Sequence, residues 1–344
     1  MAKPAQPPGA TREYIFQITK QRQGAQAIEN PRQTNLSLPD SVLTRDGLKI
    51  AMRHWPVTTH SDLNGASDLN GPSNLNGVVV LVHGLGEHIG RYESVAQVLN
   101  RAGWAVVGYD QRGHGRSEGD RGVIRQNDDL LHDLATVLDT VRTATTTSRM
   151  ALLGHSLGGL IVARFVAALA SPVEQVEWRR AVDLCILSSP ALKIRLSRFQ
   201  KILLSIVVRI APDLRVSNGL NADWLSTDPS AVEAYQNDPL VHHQISGRLT
   251  QFMLSAGEAV SERSSRWSVP TLLLYSGLDQ CVSPEGSKRF ASSLPTDLLH
   301  TIEYAQMRHE IFNELDRNAV FQDLVAWLNR QSDQRTSTID LSAL

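Results

Sequence analysis

Residues 150–165 read MALLGHSLGGLIVARF, and the way this stretch divides decides the fold. MALLG (150–154) is a short apolar run of the kind that forms a strand buried on both faces, and LGGLIVARFVAALA (157–170) carries a helical pattern with small residues at its start. Ser156 therefore falls at a strand-to-helix turn between Gly154 and Gly158. Glycine has no Cβ, so the pair permits a sharp reversal that presents the Ser156 hydroxyl beyond the carboxyl end of the strand. The helix N-terminus favours negative charge at that spot. Taken alone, the G-x-S-x-G pattern is equally compatible with a plain glycine-rich turn, so the surroundings decide.

Outward from this turn, apolar runs recur at VVVLV (78–82), WAVVGY (104–109), VDLCILS (182–188), TLLLYSG (271–277) and LLHTIEY (298–304). Helical patterns at 91–102, 127–142, 284–293 and 314–330 separate most of them. Strand-helix alternation predicts an α/β fold, a mostly parallel central sheet covered by helices on both faces. SVLT (41–44) and LKIAMRHW (48–55), joined by an Asp46-Gly47 turn, add two strands ahead of it. Residues 191–254 offer helix-like segments and turns without a strong strand, and read as a helical lid inserted after the sixth strand. The expected organisation is a tail over 1–36, core segments over 37–190 and 255–330 flanking the lid, and a C-terminal tail over 331–344. Within 57–77 the near-repeat SDLNGASDLNGPSNLNG (61–77) is built of turn-forming residues and reads as a solvated insert.

Composition narrows the function classes. Lys and Arg total 34 against 35 Asp and Glu, a balance that supplies no field for a nucleic-acid backbone. Hydrophobic residues at 42% and charged residues at 20% place the chain with globular proteins. Two cysteines are too few for a disulfide framework and suit a reducing compartment. MAKPAQPPGATREYIF (1–16) lacks a signal-peptide core and no run reaches the length of a membrane span, so the expectation is a cytoplasmic protein that touches a membrane at most peripherally.

A serine hydroxyl is a weak nucleophile until a base takes its proton, and the base needs an orienting group. On this scaffold the acid and the histidine come after the serine in that order. Asp279 in SGLDQCVSP follows one strand and His309 in MRHEIFNE follows the next, at the same end of the sheet as Ser156. Each has a plainer reading as a turn or helix cap, and it is their joint placement that points to catalysis. The oxyanion donors expected are the N–H of Leu157, next to the serine, and that of Leu85, freed by Gly84 and Gly86 in VVVLVHGLGEH. His83, Glu87 and His88 invite a metal reading, but H-x-x-x-E-H in a glycine-broken loop misses the zinc spacing. RGHGRSEG (112–119) misses the dinucleotide fingerprint by one residue. No metal and no cofactor are expected.

HGLGEH (83–88), YDQRGHGRSEGDRG (109–122), GHSLGG (154–159), DPLVHH (238–243), SGLDQCVSP (276–284) and HEIFNE (309–314) occur in this order. Over roughly 41–330 the chain resembles the α/β-hydrolase superfamily, specifically the monoacylglycerol lipase and lysophospholipase group with its serine aminopeptidase S33-type hydrolases. The resemblance implies Ser156 as nucleophile, Asp279 as acid, His309 as base, and Leu85 and Leu157 as oxyanion donors. It implies a small-molecule acyl ester substrate, first among candidates a monoacylglycerol or lysophospholipid. Asp110, His114 and Ser117 read as shaping a turn near the site, and Asp238 as a turn residue where the lid returns. A peptidase or thioesterase on the same three residues, and a non-catalytic ligand-binding member, stand as the alternatives.

SRFQKILLSIVVRIAP (197–212) has a narrow polar stripe of Arg198, Lys201, Ser205 and Arg209 on an otherwise apolar helix. Such a helix near 199–210 either lies at a lipid interface or is covered by the core or a second copy of the chain. On the interfacial reading, Asp at Val207 and Val208 should abolish liposome association and spare hydrolysis of a short ester. Nothing in the residues sets the oligomeric state.

Overall fold

The computed structural model describes residues 38–342 apart from 56, 58–74, 146, 148, 171–174 and 195–197, with the backbone alone over 198–203 and 333–342. The N-terminal tail and most of the 57–77 insert lie outside the described residues. Ten strands come in chain order: β1 Ser41–Leu43, β2 Lys49–Trp55, β3 Gly77–Val82, β4 Trp104–Tyr109, β5 Met150–His155, β6 Leu184–Ser188, β7 Arg215–Ser217, β8 Gln244–Ser246, β9 Thr271–Ser276 and β10 Leu299–Tyr304. Eight of them form one sheet in the order β1-β2-β4-β3-β5-β6-β9-β10. β1, β2 and β4 pair antiparallel, and the six strands from β4 to β10 run parallel.

Every residue of β3, β4, β5, β6 and β9 is buried, which is why their sequences are continuous rather than alternating. β10 forms the edge and exposes His300, Thr301 and Glu303. Successive side chains of a strand point to opposite faces, so the sheet carries two cores. Val78, Val80, Val82, Leu152 and Leu273 face one side, with α2 (Asp129–Ala144), α3 (Leu157–Ala167), α6 (Gly247–Arg263) and α7 (Pro284–Ser293). Val79, Leu81, Leu153, Leu272 and Leu274 face the other, with α1 (Glu93–Arg101) and α8 (Arg317–Ser342). The mostly parallel sheet covered by helices on both faces, expected from the alternation, is the one observed. Register carries it to the site: Val82 pairs with Gly154, His155 with Ser188, Ser188 with Leu274 and Ser276 with Tyr304. The carboxyl ends of β3, β5, β9 and β10 are thus level, and the loops that leave them open on one rim.

Two boundaries differ from the expectation, and one interval holds more than the sequence showed. The 191–254 interval, read without a strong strand, holds α4 (Arg198–Ile210), α5 (Pro229–Asn237) and the antiparallel pair β7 and β8, whose three residues each are too few for a period to register. Residue 254 falls inside α6, capped by the Ser246 side chain at the Leu249 N–H, and since Leu249 and Phe252 are already buried in the core the chain re-enters it at the start of that helix. α8 continues through the expected C-terminal tail to Ser342, since neither Gly nor Pro interrupts 317–342. No helix among the described residues is long and apolar enough to cross a membrane.

Candidate active site

Ser156 holds φ 52° and ψ −116°, and with Ser189 it is one of two non-glycine residues at positive φ among the described residues. Such a backbone is strained and persists only where its surroundings hold it. Here the Ser156 N–H donates to the Ser188 carbonyl at 3.0 Å, and the Ser156 carbonyl accepts from Leu160 and Ala191 at 3.0 Å each. The flanking glycines are required by space. A Cβ at Gly154 would lie 2.3 Å from the Gly158 carbonyl oxygen, and one at Gly158 would lie 2.0 Å from that of Val82. The serine thus stands above the rim because α3 crosses directly against the ends of β3 and β5.

The loops after β9 and β10 bring two further side chains to it. His309 Nε2 lies 2.9 Å from Ser156 Oγ, and His309 Nδ1 lies 2.7 Å from Asp279 Oδ2. Asp279 Oδ1 accepts from the Cys281 and Val282 N–H groups at 2.9 Å each, so its carboxylate is aimed by the backbone. A carboxylate can only accept, so the proton between them sits on Nδ1 and the Nε2 lone pair faces the hydroxyl. Burial alone would push the His309 pKa down. The Asp279 charge and hydrogen bond, with the charges of Glu310 and Glu87, outweigh it and raise the value. The His155 ring packs on His309 with centroids 4.8 Å apart, but burial first, and then the His309 charge, hold His155 at about 4. His155 therefore stays neutral where His309 titrates.

Both expected oxyanion donors flank this centre. Leu157 is the first residue of α3, where an N–H has no partner within the helix. Leu85 belongs to the loop after β3 and lines the same cavity as Ser156. Among the described residues no acceptor is found for either N–H. The three residues of the suspected metal motif disperse: His83 bonds Gln111, Glu87 bonds Arg91 and His88 bonds Asp238. Asp279, Cys281 and His309 do bring ligand atoms within 4.8 Å of one another. Both Asp279 oxygens are already engaged, however, and burial pushes the Cys281 thiol up and keeps it protonated.

The turn residues have defined tasks. Asp110 accepts from the Ile89 and Arg116 N–H groups at 2.8 Å each, and Ser117 ties its hydroxyl to the Asp110 carbonyl and the Ala51 N–H. His114 packs between His83 and His242, its ring tilted against both. Asp238 caps the Leu240 N–H as a turn residue does, and its second oxygen reaches His88 Nε2 at 2.8 Å. That contact, with the 2.8 Å hydrogen bond from the His242 N–H to the Gly86 carbonyl, fastens the segment before β8 to the loop after β3. Sequence reading missed the set Glu87, Arg91 and Glu310, whose side chains are buried beside the His155–His309 ring pair. Its one visible signal was an acidic residue directly following His309.

Ser156 and His309 open into a cavity of about 660 Å³ lined mainly by apolar side chains, among them Leu85, Leu204, Val207, Leu214, Val216 and Met253. This overturns one detail of the α4 expectation. Val207 and Val208 are half-buried, their methyl groups lying against Gly247 of α6, and Val207 lines the cavity. Ile206 and Ile210, 47% and 79% exposed, face outward instead. Leu214 and Val216, more than half exposed, continue that apolar surface to the cavity lining.

Residues 73–316 match the model of the family described as serine aminopeptidase, S33. Over 254 residues the chain is 31% identical to a monoacylglycerol lipase of Mycolicibacterium smegmatis, covering 73% of this chain and 87% of that one. A monoglyceride lipase of Rattus norvegicus is 27% identical over 88% of this chain and 95% of its own length. Among solved structures, a monoacylglycerol lipase from Paleococcus ferrophilus superposes with a TM-score of 0.67 at 32% identity, over 82% of this chain and 98% of that one. A soluble variant of monoglyceride lipase from Saccharomyces cerevisiae, in complex with a substrate analogue, gives a TM-score of 0.69 at 21% identity, covering 87% and 98%, a likeness of fold.

Proposed function

The chain belongs to the serine aminopeptidase S33 family of α/β-hydrolases, and from that premise we propose that Ser156, His309 and Asp279 form the triad with which it hydrolyses lipid esters, monoacylglycerols first among them. It is a carboxylic ester hydrolase acting on a small-molecule ester. The observation that carries the finer reading is the hydrogen-bonded line Asp279–His309–Ser156 opening into a largely apolar cavity. His309 Nε2 takes the Ser156 proton as Oγ attacks the acyl carbon, and Asp279 holds the imidazolium that results. The Leu85 and Leu157 N–H groups receive the oxyanion, and the leaving alcohol takes the proton back from Nε2. Water, activated by the same histidine, then releases the fatty acid.

The family's description also raises a peptidase. An aminopeptidase must hold the substrate's terminal ammonium, and the carboxylates lining the cavity among the described residues are Glu87 and Glu310, both bound by Arg91. That favours an ester of an apolar acid. A fluorophosphonate should label the wild type and not Ser156→Ala, and a panel of monoglyceride, lysophospholipid, p-nitrophenyl ester and aminoacyl amide should be turned over in favour of the monoglyceride. Labelling retained in Ser156→Ala would overturn the triad, and amide hydrolysis outpacing the esters would overturn the substrate class. The 191–254 segment serves in this reading as a lid, with Ile206 and Ile210 meeting the lipid surface from which the substrate comes.

A further inference from the structure

Behind the triad lies a buried charge cluster that the proposed mechanism leaves unused. Glu87, Arg91 and Glu310 have side chains 5%, 10% and 6% exposed. Arg91 grips Glu310 with two bonds of 2.6 and 2.7 Å and reaches Glu87 Oε2 at 2.7 Å. Glu87 spends its other oxygen on the Gly84 N–H at 2.5 Å and the Tyr92 hydroxyl at 2.7 Å. The guanidinium lies 4.9 Å above the Tyr235 ring of α5. One cation is therefore bonded to the loop that carries Leu85 and to the residue following His309, and it is covered by a lid residue.

As a stabilising device this is a poor choice. Desolvating three charges costs more than apolar packing of the same volume, and two carboxylates against one guanidinium leave a buried negative charge over. A negative excess suits a neighbour that becomes cationic during the reaction. We propose that Glu310, held by Arg91, is a positioning residue for the hydrolysis: with Glu87 it fixes the Gly84–Leu85 loop and the His309 loop as one body, and it sets negative charge against the imidazolium. The inference rests on the reading of Ser156, Asp279 and His309 as the triad.

The groups around His309 define the expected sign. Asp279 and Cys281 lie on the loop after β9, His155 and Ser156 at the end of β5, Glu87 and Arg91 beyond the end of β3, Glu310 beside it in the chain, and Tyr235 over Arg91. Cys281 and Tyr235 are pushed up by burial and stay neutral, so Asp279, Glu310, Glu87 and Arg91 supply the charge. Removing Glu310's charge favours the neutral imidazole.

The test uses the full chain with a soluble p-nitrophenyl ester across pH. Folded Glu310→Gln should lower kcat by about 10-fold with KM within about twofold, and should move the acid limb of kcat/KM to lower pH by about half a unit or more. Arg91→Lys should recover part of the kcat lost in Arg91→Met, since it restores the cation without the fork. Where Arg91→Met fails to fold, Glu310→Gln, which keeps the Arg91–Glu87 pair, decides alone. An acid limb that stays at its wild-type pH in folded Glu310→Gln overturns this inference and leaves the triad standing. Full activity in Ser156→Ala would overturn the triad itself.

Discussion

Replacing Gly158 by Ala adds one methyl group where α3 crosses β3, and the geometry there fixes how far the helix must move. The new Cβ would lie 2.0 Å from the Val82 carbonyl oxygen and 2.4 Å from that of His83. Ordinary contact begins near 3.4 Å, so the helix would have to retreat by about 1.4 Å. Both obstacles are backbone, and neither can swing aside as a side chain can. Overpacking costs about 1–3 kcal/mol where neighbours adjust, which puts this substitution at about 3 kcal/mol or above. Ser156 sits at the head of the same helix and would be carried away from His309, a misplacement of about 1 Å that is worth roughly 100-fold in turnover. Gly159→Ala is the control, because its Cβ meets Pro190 Cβ at 2.9 Å and Pro190 Cα at 3.0 Å and so needs a much smaller shift. Urea unfolding monitored by circular dichroism gives the stability. Turnover of p-nitrophenyl butyrate per fluorophosphonate-labelled site gives the rate, independent of the folded fraction. A wild-type midpoint and turnover in Gly158→Ala, or greater damage from Gly159→Ala, would refute the packing on which the turn stands.

Titration and burial elsewhere in the molecule give further expected outcomes. As the proposed base, His309 must be neutral to accept a proton; its pKa is raised above the ordinary 6.5, so on that proposal kcat/KM should fall as pH drops through that raised value. Its effect on stability has the opposite sense, present below the unfolded value and lost as pH rises through the folded one; a kcat/KM flat from about pH 8 to 5 would contradict the role. His155 and His242, both brought to about 4 chiefly by burial, take up protons later than the unfolded chain does. Stability should therefore decline between about pH 6.5 and 4, by up to about 3 kcal/mol for His155, and equal urea midpoints at either end would exclude it. Arg112 is buried among Asp46, Asp129 and Asp133, so Arg112→Met should cost about 3–5 kcal/mol in calorimetry by leaving carboxylates unpaired; a loss under about 1 kcal/mol would count against the burial. Ile206→Asp with Ile210→Asp should remove binding to phosphatidylcholine vesicles while soluble-ester turnover stays at the wild-type level, and vesicle binding that persists would move the contact elsewhere.

Legibility in the sequence tracked the range of the interaction. VVVLV and MALLG were readable as strands because burial on both faces demands apolar residues at every position, and the level ends of β5, β9 and β10 then result from parallel pairing. Gly154 and Gly158 were readable because each sits where a side chain has no room. The 191–254 interval was readable only as an interruption. β7 and β8 are three residues each, and of the bonds that hold the chain before β8 to the core, the His242 N–H to Gly86 carbonyl bond leaves no residue type behind to read, while the Asp238–His88 contact showed in the sequence only as a turn residue. The orientation of α4 was equally hidden. Val207 and Ile206 are adjacent and alike in chemistry, and the packing of α4 against α6 at Gly247 turns one inward and leaves the other exposed.

The unread charge cluster shows the same limit at the site itself. Ser156, Asp279 and His309 are separated by more than a hundred residues in one gap and by thirty in the other, yet chain order and strand ends suffice to align them because the sheet does the positioning. Glu87 and Arg91 are a helical turn apart and look like an ordinary surface pair, while Glu310 lies 219 residues from Arg91. A surface pair would be worth little and a buried one costs desolvation, so the value of this cluster depends wholly on its depth. Depth is a property of the folded rim, where the loop after β3 and the loop after β10 close over the end of β5. The same closure removes water from His309 and lets Asp279, Glu310 and Glu87 hold its pKa up against burial. If His309 is the base proposed above, the fold that would drive it out of its working range also keeps it within that range, by carboxylates which the fold alone brings near.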